Sequence, residues 1–209
     1  MNELTPSNIV SRAWDLFKAN ASDLIVVLFV YAIIKGFLSS LESMTEESFF
    51  IISFLTSFIN AIISIVLSLG FARALLDVVD GGKAKLNTLF KHRDSKLLMH
   101  YILGLLLSGI AMVVGILLFV VPGLYLIARL QFFTLVLLEQ DEPNFIDALK
   151  ESWEMTENHV WDLVGIALVA IVIVLAGALA LIIGLLAAIP VVGLMSAVVY
   201  RMLQSQRLY

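Results

Sequence analysis

Cysteine is absent from the chain, which removes disulfides, thiolate nucleophiles and thiolate metal ligands and leaves the redox compartment undetermined. Charge is scarce. Asp, Glu, Lys and Arg make up 14% of the 209 residues and hydrophobic side chains 61%, whereas soluble chains run at about 25% charged and about 45–50% apolar. The three histidines, His92, His100 and His159, lie far apart and have no metal-ligand spacing. Paired carboxylates occur only in acidic connections, where solvation explains them. No glycine-rich phosphate loop follows a strand, no serine sits in a nucleophile elbow, and no aromatic–basic strand pattern points to nucleic acid. These absences lead to the expectation of a non-enzyme with no cofactor, no metal and no nucleic-acid partner. What remains is apolar length: a mean hydropathy of +1.01 is too much to hide in one water-soluble core, so the chain reads as an all-α membrane protein.

Taken in order, Thr5 to Asn20 places Ile9, Val10, Ala13, Trp14 and Phe17 on one helical face, with Thr5 as N-cap and Pro6 at the first helical position. Such a helix suits either the membrane interface or the solvent side of a bundle. It does not resemble a basic n-region followed by a cleavable h-region, so the first span is expected to be uncleaved. Leu24–Leu38 forms span one, with Lys35 near its far end, and Phe49–Leu69 is an uncharged run for span two, long enough to cross about 30 Å of hydrocarbon. Leu97–Val121 and Gly123–Leu138 are read as spans three and four around a tight Pro122-Gly123 turn. Leu163–Ile189 and Val191–Leu203 are read as spans five and six, parted at Pro190. Either proline could instead kink a helix just inside its end. Small residues recur at helical spacing within the spans, as in Gly104, Ser108, Ala111 and Gly115, which favours close helix packing.

Lysine and arginine give the orientation. Apart from Lys35 and Arg129, every basic residue lies in the terminal segments or in the connections after spans two and four, which places both termini in the cytoplasm of an inner membrane. The order amphipathic helix, span, turn, span occurs three times. It divides a single membrane domain, residues 1–209, into units of about 5–80, 83–140 and 143–209. Trp14-Asp15-Leu16 matches Trp153-Glu154-Met155, and an arginine goes with each even-numbered span: Arg73 just after the second, Arg129 within the fourth and Arg201 at the terminal end of the sixth. The expected architecture is therefore six transmembrane helices in three hairpins, each preceded by a cytoplasmic amphipathic helix.

Two constellations carry candidate chemistry. Arg129 stands about six residues below the Pro-Gly, roughly 9 Å into the membrane, with Gln131, Thr134 and Asn60 at comparable depth. Intramembrane arginines are costly, so Arg129 either fixes the fold through carbonyls or Asn60, or contacts a lipid headgroup or another anion. The segment Lys83, Lys85, Lys91, Arg93 and Lys96, with His92, is dense enough to attract anionic lipid at about 1 kcal/mol per residue. It also fits ordinary topology, or pairing with the acidic helix of Asp147, Glu151, Glu154 and Glu157.

PGLYLIARL (Pro122–Leu130), ALKESWEMTENHVWDL (Ala148–Leu163), the helix around Trp14 and Phe17, and the Gly81-Gly82 linker together resemble a group of prokaryotic multi-pass membrane families. These are related to the membrane domain found beside glycerophosphodiester phosphodiesterases and to YciC-like inner-membrane proteins. The segment departs from the family pattern at Glu157-Asn158, which makes it unusually acidic. The resemblance implies a six-helix membrane protein without the phosphodiesterase barrel. The expected function is that of a non-enzymatic, lipid-interacting accessory or scaffold subunit whose partners are anionic lipids, another protein or its own copies. The alternative is a small transporter or permease-like protein with an anionic site near Arg129.

Overall fold

Apolar runs of this length fold as helices because in lipid each backbone N–H and C=O must find its partner within the segment. The computed structural model describes residues 4–45, 50–91 and 94–207, and every regular element among them is helical. They are α1 (Pro6–Thr45), α2 (Phe50–Val79), α3 (Thr88–Lys91), α4 (Ser95–Leu118), α5 (Val120–Leu130), α6 (Phe133–Glu139), α7 (Phe145–Met155), α8 (Val160–Leu179) and α9 (Leu181–Arg207). Six stretches among the described residues are long and apolar enough to cross a membrane. The chain is a multi-pass membrane protein.

The helix ends differ from the sequence expectation in informative ways. The first lead-in helix and span one form one element, α1, bent at Asn20 (φ −125°, ψ 19°), whose side-chain amide donates to the Leu16 carbonyl at 3.0 Å. Ile9, Ala13 and Phe17 are buried while Trp14 is exposed, so this helix packs on α9 rather than presenting all five apolar residues to lipid. The break after span three falls at Phe119 (φ −164°, ψ 150°), not at Pro122-Gly123. Pro122 sits in the first turn of α5, where its missing N–H costs no helical bond. Gly123 serves close approach instead: a Cβ there would lie 2.9 Å from the Ile116 backbone nitrogen on α4.

The fourth span is interrupted at Gln131-Phe132, which separates α5 from α6. The last break comes at Ala180 and Leu181 (φ 59°), well before the expected Pro190, which lies inside α9. Gly177 meets α9 here, and a Cβ on it would lie 2.6 Å from Ala188 Cβ. The small residues place the chain reversal, and the proline is absorbed within a helix whose following residues Val191, Leu194 and Met195 are buried.

Burial is strongly partitioned along the helices. Phe50–Phe58, Leu105–Leu118 and Leu168–Leu181 are dominated by exposed large apolar residues, as befits a lipid-facing region. The packed core gathers at the opposite end: Ile9 to Leu24 on α1, Leu67 to Val78 on α2, Phe132 to Leu138, Ala148 to Met155 on α7, and Leu194 to Leu203 on α9. α2 continues past the expected end at Leu69, turns at Gly81 (φ 84°), and is covered by α3, whose Leu89 backbone abuts Gly70.

Candidate functional site

Arg129 lies where these two regions meet, near the C-terminus of α5. Tyr125 precedes it by four residues, hence on the same helix face, and Trp153 is delivered by α7. That helix is set by Asn144, whose side chain accepts from the Ile146 N–H at 3.0 Å as an N-cap. The Arg129 guanidinium carbon lies 4.3 Å from the Trp153 ring centroid and 5.5 Å from that of Tyr125, and the two rings meet edge to face at 5.8 Å. Arg129 is 4% exposed, yet its Nε is buried with no hydrogen-bond partner, and no carboxylate pairs with it among the described residues.

The backbone of the same residue is well satisfied. The Arg129 carbonyl, one of the last in α5 and so without an intrahelical partner, accepts from Ser152 Oγ at 2.9 Å; Thr156 Oγ1 lies 3.4 Å from it, but its one proton has a nearer acceptor in the Ser152 carbonyl at 2.8 Å. Both hydroxyl residues are fully buried. α7 is thereby fastened across the end of α5 by the carbonyl of the residue whose side chain has no hydrogen-bond partner.

The cluster expected around Arg129 does not assemble. Asn60 belongs to a polar chain between α1 and α2, where its amide donates to Glu42 and its carbonyl accepts from Ser64 Oγ at 3.2 Å. Lys35 Nζ donates to that same Ser64 at 2.6 Å, and Ser57 Oγ to Glu42 at 2.6 Å. A carboxylate and a hydroxyl at short range outcompete any distant contact. Gln131 is exposed, with its amide on the Ala128 carbonyl at 3.0 Å. Lys83, Lys85, Lys91 and Lys96 are all exposed on the segment leading from α2 to α4; Arg93 and His92 fall outside the described residues. Lys96 pairs with Glu142 at 3.5 Å. The acidic face of α7 pairs elsewhere than expected, with Arg207 at 3.6 Å from Glu151 and 2.8 Å from Glu154.

A junction that no sequence signal pairs joins the ends of α2, α6 and α9. Arg201 on α9 donates to Asp80 just beyond α2, from Nε at 2.7 Å and Nη2 at 2.6 Å. It also donates to Glu139 at the end of α6, from Nη1 at 2.7 Å and Nη2 at 2.6 Å, and to Gln204 at 2.7 Å. Tyr200 adds its hydroxyl to Glu139 at 2.7 Å. One guanidinium forking onto two carboxylates is a geometry lysine cannot reproduce. The only hint in the sequence is an arginine beside a tyrosine at the end of an apolar run.

Two cavities border the Arg129 region. A slot of about 80 Å³ lies between α5 and the start of α8, walled by Leu124, Tyr125, Trp161 and Val164. A second of about 190 Å³ lies between α8 and α9 beside Gln131 and Phe132. Among the described residues no group of three or more His, Asp or Glu side chains could hold a metal ion. Comparison with family models, curated proteins and solved structures finds no match for this chain.

Proposed function

We propose that the chain is a non-enzymatic multi-pass protein of the inner membrane, with both termini cytoplasmic, that holds anionic lipid at its cytoplasmic boundary as an accessory or scaffold subunit. The observation that carries this reading is the partition of the molecule. One end is exposed and apolar, while the other is densely packed and bears nearly all the described lysines and arginines, an arrangement suited to an anionic leaflet. In this reading the molecule is three hairpins, each led in by an amphipathic segment that buries one face. Ile9, Ala13 and Phe17 do so in the first, Ala84 and Leu89 in the second, and Ala148, Leu149 and Met155 in the third. The likeness to the multi-pass families named above belongs to the same proposal.

The transport alternative draws on the buried, unpartnered Arg129. The cavities beside it are small against the roughly 300–1,000 Å³ of ordinary ligand pockets, which favours lipid over a hydrated solute. Purification in mild detergent with mass spectrometry of what co-elutes tests the proposal. Retained anionic lipid supports the lipid role, and a stoichiometric protein partner makes the chain an accessory subunit. Solute uptake by proteoliposomes, with no lipid retained, would replace both with transport.

A further inference from the structure

The Arg129 guanidinium is short of partners. Taking an ion out of water is strongly unfavourable, and so is leaving a buried donor without an acceptor. Two features offset part of this. The aromatic faces of Trp153 and Tyr125 attract the cation, and the C-terminal turn of α5 presents the negative end of its dipole. Neither supplies an acceptor to Nε, because a ring face and a dipole attract charge without forming that hydrogen bond. The surroundings also locate the group. Tyr125, Trp153 and Trp161 are all exposed, and amphipathic aromatics of this kind mark the headgroup level of a bilayer. Beside them lies the apolar slot walled by Tyr125 and Trp161.

We propose that Arg129 receives a phosphate oxyanion, and that its source is the headgroup of a membrane phospholipid whose acyl chain lies along the Tyr125–Trp161 slot. This rests on the lipid-holding reading above and narrows it to one site. Phosphate supplies the acceptors that the guanidinium lacks, in the planar forked geometry arginine favours. The adjoining slot distinguishes a lipid from free phosphate, because only a lipid brings apolar chain to fill it. Entry needs the Trp153 indole, itself 36% exposed, to turn aside at the surface. Ser152 keeps α7 attached to α5 through the Arg129 carbonyl meanwhile.

The test uses the full chain, delipidated in mild detergent, titrated with phosphatidylglycerol and read by melting temperature and by native mass. In lipid-free micelles Arg129→Leu should melt no lower than the parent, since it removes a buried cation without an acceptor. Added phosphatidylglycerol should raise the parent's melting temperature and leave the variant's unmoved, with bound lipid reduced about tenfold or more. Gly109→Ala, on a helix position with nothing within 4 Å of the added methyl, should keep the parent's response. If Arg129→Leu melts far lower without lipid and Arg129→Lys restores it, the residue is structural and the proposal fails. Equal lipid shifts in parent and Arg129→Leu overturn this site while leaving the wider lipid role standing. No retained phosphatidylglycerol in either overturns both. Inorganic phosphate alone reproducing the parent's shift, with Arg129→Leu silent, overturns the lipid as source. Should the leucine variant not accumulate, Arg129→Lys keeps the charge and loses the fork. A loss of about tenfold in lipid affinity then supports the proposal, and undiminished affinity overturns it.

Discussion

The Arg201 junction offers a quantitative test of what holds the packed end together. Arg201 is 23% exposed, Glu139 21% and Asp80 40%, so the two pairs differ in shielding while sharing one cation. A fully buried pair costs about 3–5 kcal/mol to break by removing one partner, and an exposed pair about 0.2–1 kcal/mol. Arg201–Glu139 lies between these limits and gains from two near-parallel bonds at 2.6 and 2.7 Å, so a coupling of about 2 kcal/mol is expected. Arg201–Asp80 has equally short bonds but more solvent, so about 1 kcal/mol is expected. Double-mutant cycles with Arg201→Leu, Glu139→Gln and Asp80→Asn, read by reversible unfolding in mixed micelles, isolate each term. Arg201→Lys should recover less than half of the loss, since an ammonium cannot fork onto both carboxylates at once. A Glu139 coupling below about 0.5 kcal/mol, the error of such cycles, or one smaller than that of Asp80, would mean that shielding does not set the strength.

Gly104→Ala should lower stability by about 1–3 kcal/mol, because its Cβ would run into the Phe133 ring, which is stacked on Tyr101. Gly109→Ala on the same helix meets nothing within 4 Å and should be neutral or gain up to about 1 kcal/mol; chemical unfolding of the pair compares them directly. Ser152→Ala should cost about 1–3 kcal/mol, because it takes the 2.9 Å donor from the buried Arg129 carbonyl while the Thr156 proton is nearer the Ser152 carbonyl, whereas Ser152→Leu would overfill a fully buried position and detach α7, seen as faster proteolysis between α6 and α8. Breaking the exposed Lys96–Glu142 pair should change the unfolding midpoint by less than about 0.5 kcal/mol equivalent. Since the chain has no native cysteine, single cysteines report topology cleanly. Cysteine at Lys85 or Glu142 should react with an impermeant maleimide from the cytoplasmic side, and cysteine at Ser43 from the opposite side.

Some of this was legible in the sequence because it depends on local order alone. Apolar runs near 20 residues must be helical in lipid whatever they pack against, so the six helices long enough to cross were visible before any contact was known. The break points were less so. Pro122 and Pro190 looked like turns, yet the turns fall at Phe119 and at Ala180-Leu181. Proline interrupts a helix only where its lost N–H matters, and in the first turn it does not. Arg129 stood out because a charge in an apolar run is visible without a structure. Its supposed partner Asn60 did not survive, because depth along a span says nothing about which helices are neighbours.

The chain's apolar runs were enough to determine a multi-pass membrane protein with six helices long and apolar enough to cross, since this follows from the free energy of moving apolar groups between water and lipid. Tertiary structure alone decided which ends pack. It brought Asp80, Glu139 and Arg201 together from distant parts of the chain, and it buried Arg129 against Trp153 with no acceptor for its Nε. These outcomes depend on helix-to-helix register, which side-chain volumes and close glycine contacts set across the whole bundle and no single segment encodes.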